Sequence, residues 1–294
     1  MRSGEARFGI SLAVFSAATF GFGTTLARLA YDGGATPFTV VLLRTGMLVV
    51  LVGLPLLLMG RTFRIDRRTF LATLWMAVTL AMVSLGYQGA VAFIPVSLAA
   101  LVFYSFPLLV GLIAVVAGRD RMTATKAIAL LAAFLGLALA LGPGFALLDW
   151  RGIALALLAA VGMSFTLAFG GEATRRADAL VMSVYTNVWM LLAFAALCLA
   201  GQEIALPATL RGEISTAALC VTYVVAYAGW YLALSRVKPV RLAALYNVEP
   251  VVTLFAAWLI LGERLSAVQL FGAALVLGSI GMMTDRDRTE PQTA

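Results

Sequence analysis

Residues 239–264 read PVRLAALYNVEPVVTLFAAWLILGER. From Pro239 to Leu261 this stretch is almost wholly apolar. Arg241 lies in its first turn, Asn247 and Glu249 interrupt it near the middle, and charge returns next at Glu263-Arg264. A membrane-crossing helix needs about 20 mainly apolar residues to span roughly 30 Å of hydrocarbon, and this run meets that length. No period-2 alternation passes through it, and an open sheet edge has no partner in lipid, so the reading is helix rather than strand. Pro250 lies mid-run, where its missing N–H frees a carbonyl and predicts a kink.

Working outward, nine further runs have the same character. They fall near 9–30, 37–59, 69–93, 95–117, 125–142, 151–171, 179–200, 214–235 and 266–283. The expected fold is therefore an all-α polytopic membrane protein with ten transmembrane helices. Composition agrees: charged residues make up 12% of the chain, against about 25% in a soluble domain, too few to cover a water-facing surface. The breaks carry turn chemistry, as at Asp32-Gly33-Gly34, Gly142-Pro143-Gly144 and Gly201-Gln202. The first run, Phe8 to Ala30, is too long for a signal-peptide core and lacks a small-residue cleavage pattern, so it reads as the first span.

The formal charge of +7 does not point to nucleic acid, because the basic residues cluster at span ends, where they orient helices. With the N-terminus cytoplasmic, most of the 21 lysines and arginines fall on the inside, among them Arg61, Arg64, Arg67, Arg68, Arg175, Arg176 and Arg236. Outside fall Arg28, Arg151, Arg211 and Arg264. This bias places both termini in the cytoplasm. The absence of organelle-targeting signals fits a multi-pass protein of a bacterial plasma (inner) membrane.

The chain also resembles itself at a constant offset of 143 positions. Gly9-Ile10 aligns with Gly152-Ile153, Gly86-Tyr87 with Gly229-Trp230, Pro107 with Pro250, and Asp120-Arg121 with Glu263-Arg264. Residues 1–143 and 144–286 are thus expected to form two five-helix repeats, followed by a cytoplasmic tail, 287–294. An odd number of helices inverts the second repeat, a hallmark of secondary transporters whose site lies near the midplane between halves.

Ionisable groups at mid-bilayer cost about 2.5–3.5 kcal/mol on insertion scales, so each needs a reason. Arg44 and Glu249 lie roughly 10–15 Å deep at about 1.5 Å per residue. Glu249 has two open readings. It faces a cavity, binding a substrate amine or carrying a coupling proton; or it is structural, accepting hydrogen bonds near the Pro250 break or pairing with Arg44. For Arg44 a structural or gating role is the favoured expectation. The repeat counterparts of these two charges are Asn187 and Phe106, so the charges are not part of a symmetric scaffold. Pro107 and Pro250, mid-helix in both halves, are expected to let their spans flex; Pro95 and Pro239 occupy first-turn positions, where a missing N–H costs little.

Tyr223, Tyr227, Trp230 and Tyr231 form a stripe along one helical face. Packing, a lipid-facing belt and a stacking wall for planar substrates all remain open for it. Tyr87 and Gln88, and Tyr246 and Asn247, complete the candidate substrate-binding set with Glu249, Asn187, Tyr227 and Trp230. Ala17 and Gly21, and Ala274 and Gly278, are spaced for close helix approach. Cys198 and Cys220 form no CxxC pair and read as small hydrophobes. The chain has no histidine, which removes His-based zinc, triad and proton-relay chemistry. No core carboxylate pair or phosphate loop appears. The expectation is a non-enzyme with no cofactor, no bound metal and no direct use of ATP.

Four features resemble the drug/metabolite transporter superfamily in its EamA branch. They are Phe20-Gly21 in the first span, Pro37 followed by Arg44 in the second, Pro107 in the fourth, and Glu249-Pro250 with Leu261-Gly262-Glu263-Arg264 in the ninth. The family usually has Trp-Gly where this chain has Phe20-Gly21. The resemblance implies a ten-helix carrier of inverted repeats with a central cavity that opens alternately to each side. Exporters of the YddG type, which handle aromatic and other amino acids, are the nearest match it suggests. The implied partners are a small-molecule substrate and the lipid bilayer. The implied function is export of small metabolites, amino acids foremost, with a multidrug or cation exporter of the same superfamily as the alternative.

Overall fold

The computed structural model describes residues 3–91, 93–94, 96–119, 122–141, 149–201, 203–262 and 264–285. Twelve helices follow in order: α1 (Ser3–Asp32), α2 (Pro37–Leu58), α3 (Arg67–Val91), α4 (Val96–Phe103), α5 (Phe106–Val116), α6 (Ala124–Leu141), α7 (Trp150–Arg176), α8 (Ala179–Leu199), α9 (Leu210–Leu234), α10 (Pro239–Leu245), α11 (Val248–Ala256) and α12 (Ala267–Asp285). A π-helical turn, Ala257–Leu261, extends α11. Among the described residues there is no strand. Nine stretches are long and apolar enough to cross a membrane, and Ala267–Ser279 of α12 is a shorter apolar helix. The chain is an all-helical multi-pass membrane protein.

Two spans are broken. α4 and α5 together make one, and α10, α11 and the π turn make another. The interruptions fall at Tyr104-Ser105 and Tyr246-Asn247, upstream of the prolines rather than at them. Pro107 and Pro250 sit in the first turns of α5 and α11. The first-turn N–H groups of a helix have no intrahelical acceptor, so a proline there removes nothing. The expected kinks are thus local interruptions, where Ser105, Tyr246 and Asn247 keep right-handed backbone angles and shorter i→i+3 bonds bridge the helices.

Other ends have ordinary caps. Asp178 accepts from Leu180 N at 2.9 Å and starts α8, and Thr209 accepts from Gly212 N at 3.1 Å and starts α9. Asp66 accepts from Thr69 N at 3.1 Å ahead of α3, and hydrogen bonds from Thr69 hold its carboxyl below the usual range. Gly262 closes the π turn at φ 70°, a left-handed conformation in which a side chain would be strained.

Packing follows the internal repeat. α1 lies along α9 and α3 along α7, while α2 packs on α8 and α6 on α12. Shifting by 143 residues converts the first pair into the second and maps the other two onto themselves. The close contacts obey the same shift. A Cβ on Gly9 would meet Arg236 and Val237, and one on Gly152 would meet Phe93 and Ile94. Gly86 abuts Leu155 and Ala159, and Gly229 abuts Leu12 and Ser16. The start of α1, at Gly9, and the end of α7, at Thr174, both lie beside Arg236. Corresponding helices of the two repeats therefore run in opposite directions.

One expected packing face is wrong. Ala274 and Gly278 are exposed on α12, and a Cβ on Gly278 would meet nothing within 4 Å. The face against α6 is instead Gly272, Ala273 and Val276, and a Cβ on Gly272 would collide with the backbone of Gly136 and Ala140. Lipid tails are as apolar as a helix interface, so small-residue spacing alone cannot choose the side. Gly272→Val should destabilise the protein by about 1–3 kcal/mol through overpacking. The thermal midpoint in detergent should fall for Gly272→Val and stay unchanged for Gly278→Val.

Candidate functional site

The Phe20-Gly21 pair of α1 seats the turn that carries Glu249. A Cβ on Gly21 would lie 2.6 Å from the Glu249 carbonyl oxygen and 2.9 Å from Val252 Cβ, so only glycine permits this approach. Thr253 Oγ1 lies within hydrogen-bonding distance of both the Gly21 carbonyl, at 3.2 Å, and the Glu249 carbonyl, at 3.0 Å. The other repeat makes the corresponding contact through Ser164 Oγ, which donates to the carbonyl of Phe106 at 3.2 Å. One backbone joint thus presents a carboxylate in one repeat and a phenyl ring in the other.

The Glu249 carboxyl lies near the Tyr104 hydroxyl, with the hydroxyls of Tyr87 and Tyr246 also nearby. Its neighbours Val248, Pro250 and Val251 are buried, whereas Glu249 keeps accessible surface. Among the described residues it enters no ion pair. Pairing with Arg44, one of the structural readings, is not what the fold makes.

A continuous aromatic wall runs from this carboxylate towards Arg44. The Tyr246 hydroxyl and Ser16 Oγ are hydrogen-bonded, and Ser16 also donates to Ala226 O. Phe20 stands edge-on to Tyr223 and Tyr227, with centroids 6.1 and 6.4 Å away, and is tilted 6.4 Å from Tyr246. Tyr223 stacks on Tyr227 at 4.9 Å, and Trp230 follows 5.5 Å from Tyr227. All four residues of the α9 stripe are buried, so the lipid-belt reading falls. Arg44 places its guanidinium carbon 4.7 Å from the Tyr223 ring centroid. Tyr223 Oη donates to Asn187 Oδ1 at 3.0 Å, and Asn187 Nδ2 donates to Ser183 O at 2.9 Å. Asn187, the repeat counterpart of Arg44, is thereby in the same cluster as Arg44 itself.

Several polar atoms in and beside this wall lack partners. Tyr227 Oη, Trp230 Nε1, Asn247 Oδ1 and Arg44 Nε are buried and make no hydrogen bond. The residues Tyr227, Trp230 and Asn247 are only 5%, 2% and 3% exposed. An unsatisfied buried donor or acceptor costs about 1–3 kcal/mol, so four in one region call for an explanation beyond packing. Of the expected set, Glu249, Tyr246, Asn247, Tyr87, Asn187, Tyr227, Trp230 and Arg44 line this region, with Pro107 and Pro250 just beyond its two helix breaks. The side chain of Gln88 lies outside the described residues. Sequence reading missed Tyr104 and Ser16, and noted Phe20 without assigning it a place.

The two ends of the bundle differ. At one, the Gly33–Thr36 turn is laced to residues 203–208. Thr36 N donates to Ala205 O at 3.1 Å and Ala208 N to Gly33 O at 2.8 Å. Thr36 Oγ1 adds a bond to Glu203 O at 3.0 Å, and Thr39 Oγ1 accepts from Ala205 N at 3.1 Å. The repeat-related seam at the other end joins residues 60–65 to 176–185. No backbone hydrogen bond crosses it among the described residues. It has an Arg61–Asp178 ion pair at 3.6 Å, with side chains 59% and 34% exposed, and a bond from Tyr185 Oη to Phe63 O at 2.8 Å. A cleft of about 320 Å³ opens beside it, bordered by Arg61, Thr174, Asp178, Ser235 and Arg236.

Antiparallel repeats, paired helix breaks and a polar aromatic centre are the architecture of a membrane transporter. The sequence profile of the EamA-like transporter family matches residues 7–142 and again 150–284, and the chain belongs to that family. It is a multi-pass membrane transporter of small solutes. A solved structure described only as the crystal structure of a protein has the same fold. It is 19% identical, with a TM-score of 0.78 over 97% of this chain and 98% of that one. No curated protein matches the chain.

Proposed function

We propose that this transporter exports amino acids, aromatic ones included, as the YddG type does, by alternating access between repeats 1–143 and 144–286. The supporting observation is the half-buried Glu249 carboxylate beside Tyr104, at one end of an aromatic wall several of whose polar atoms are unpartnered. A substrate ammonium suits the carboxylate, and an apolar or planar side chain suits the wall. The arginine bias assigns the laced end to the outside and the cleft end to the cytoplasm of a plasma (inner) membrane, with the 287–294 tail inside. In that orientation the outer seam is held by backbone hydrogen bonds and the inner seam by side chains alone.

A multidrug or organic-cation exporter is the second reading, because one carboxylate ringed by tyrosines also suits a lipophilic cation. Flux into proteoliposomes separates the two. Labelled amino acids should show saturable, protein-dependent flux, and its response to a pH gradient tests proton coupling. Flux of ethidium-like cations without amino-acid flux would establish the second reading instead.

A further inference from the structure

We infer that Arg44 is the anion-recognising pole of the substrate site, so that the cargo carries a carboxylate at the end opposite Glu249. This inference builds on the amino-acid reading above and separates it from the organic-cation one. Arg44 projects from α2 into the bundle, with its guanidinium over the Tyr223 ring. Its Nε is buried without a hydrogen-bond partner, and the side chain enters no ion pair among the described residues. A structural arginine at this depth would tie helices together through carbonyls or a carboxylate, because a lone buried charge is expensive. Arg44 makes no such tie. Stacking on Tyr223 offsets part of the cost and leaves the in-plane N–H groups free. That fork matches a carboxylate bidentately.

The surroundings favour an anion. Tyr223 is held by Asn187, which fixes the ring on which Arg44 rests. Further along α9, the unpartnered Tyr227 Oη and Trp230 Nε1 are donors. The unpartnered acceptor, Asn247 Oδ1, lies instead on the Glu249 side, beside Tyr246. The site thus has a guanidinium at the Arg44 end and a carboxylate at the Glu249 end, with Phe20 and the tyrosine rings between them. A molecule bearing both charges satisfies both ends, whereas an organic cation satisfies one and leaves Arg44 exposed to repulsion.

The test measures flux in proteoliposomes for phenylalanine, phenylalaninamide and phenylpropionate, with wild type, Arg44→Gln and Arg44→Lys. Wild type should prefer phenylalanine over its amide. Arg44→Gln should raise the KM for phenylalanine by at least about tenfold, the loss of one hydrogen bond to a charged group, and leave the amide's KM unchanged. Arg44→Lys should fall between, keeping charge without the fork. An equal loss for phenylalanine and its amide, in variants that elute as folded monodisperse protein, would make Arg44 structural and overturn the inference. Unchanged phenylalanine flux in Arg44→Gln would overturn it too. If wild type moves phenylpropionate but not phenylalanine, and Arg44→Gln abolishes that flux, the anion pole stands and the amino-acid reading falls. If wild type moves only the amide and other cations, both fall.

Discussion

Glu249→Gln is expected to lower amino-acid flux by at least about 30-fold, because losing a hydrogen-bonded contact to a charged group costs about 2 kcal/mol. The amide has nearly the shape of the carboxylate. It retains an oxygen for the Tyr104 hydroxyl and leaves the Gly21 and Thr253 contacts, which use backbone atoms, untouched. Folding, judged by elution profile and thermal midpoint, should therefore survive. What disappears is the negative charge facing a substrate ammonium or a coupling proton. Tyr104→Phe should act in the same direction with a smaller loss, up to about tenfold, since it deletes the polar hydroxyl nearest the carboxylate. The comparison separates the two roles open to Glu249. If it only stabilises the helix break, both variants should lower the thermal midpoint together and leave the flux of folded protein intact. Normal flux in Glu249→Gln would remove the residue from the site.

Much of the scaffold is legible in the sequence because a bilayer leaves few choices: apolar runs of spanning length become helices. The 143-residue repeat is more informative than identity suggests. Gly9 with Gly152, and Gly86 with Gly229, match because each is a place where backbones nearly touch, and their partners obey the same offset. Pro107 and Pro250 mark the broken spans for a similar reason, although the breaks fall upstream, where the chain must leave one helix before the proline can start the next. What stays illegible is direction around each helix. An apolar span in lipid shows no polar face, so Ala274 and Gly278 read as an interface and are exposed. The α9 stripe read equally as belt or wall until Phe20, Asn187 and Arg44 were found against it. Tyr104 has no motif of its own. It becomes the neighbour of Glu249 only because two broken spans bring residues 104 and 249 together.

The two seams make a second strong expectation. In an inverted repeat, whatever closes one end has a counterpart that closes the other, and transport requires the two to alternate. The 33–36 and 203–208 seam is held by backbone bonds, whereas its counterpart is held by side chains alone: a solvent-exposed ion pair of the kind worth about 0–1 kcal/mol, the Tyr185–Phe63 bond and the apolar packing around it. Under the proposed alternating access, the bound seam is expected to unzip once per cycle. Thr36 and Ala205 are joined through a backbone N–H···O bond, close enough for a disulfide between cysteines placed there. Oxidised Thr36→Cys/Ala205→Cys should bring flux to the level of protein-free vesicles, and reduction should restore it. Substrate binding, measured separately, should persist, because the inner end is left free to part. Oxidised Arg61→Cys/Asp178→Cys should also stop flux, but by locking the inner seam, so binding from that side should be lost. Undiminished flux through a fully formed Thr36→Cys/Ala205→Cys disulfide would show that this seam is a static loop contact and that substrate leaves by another route.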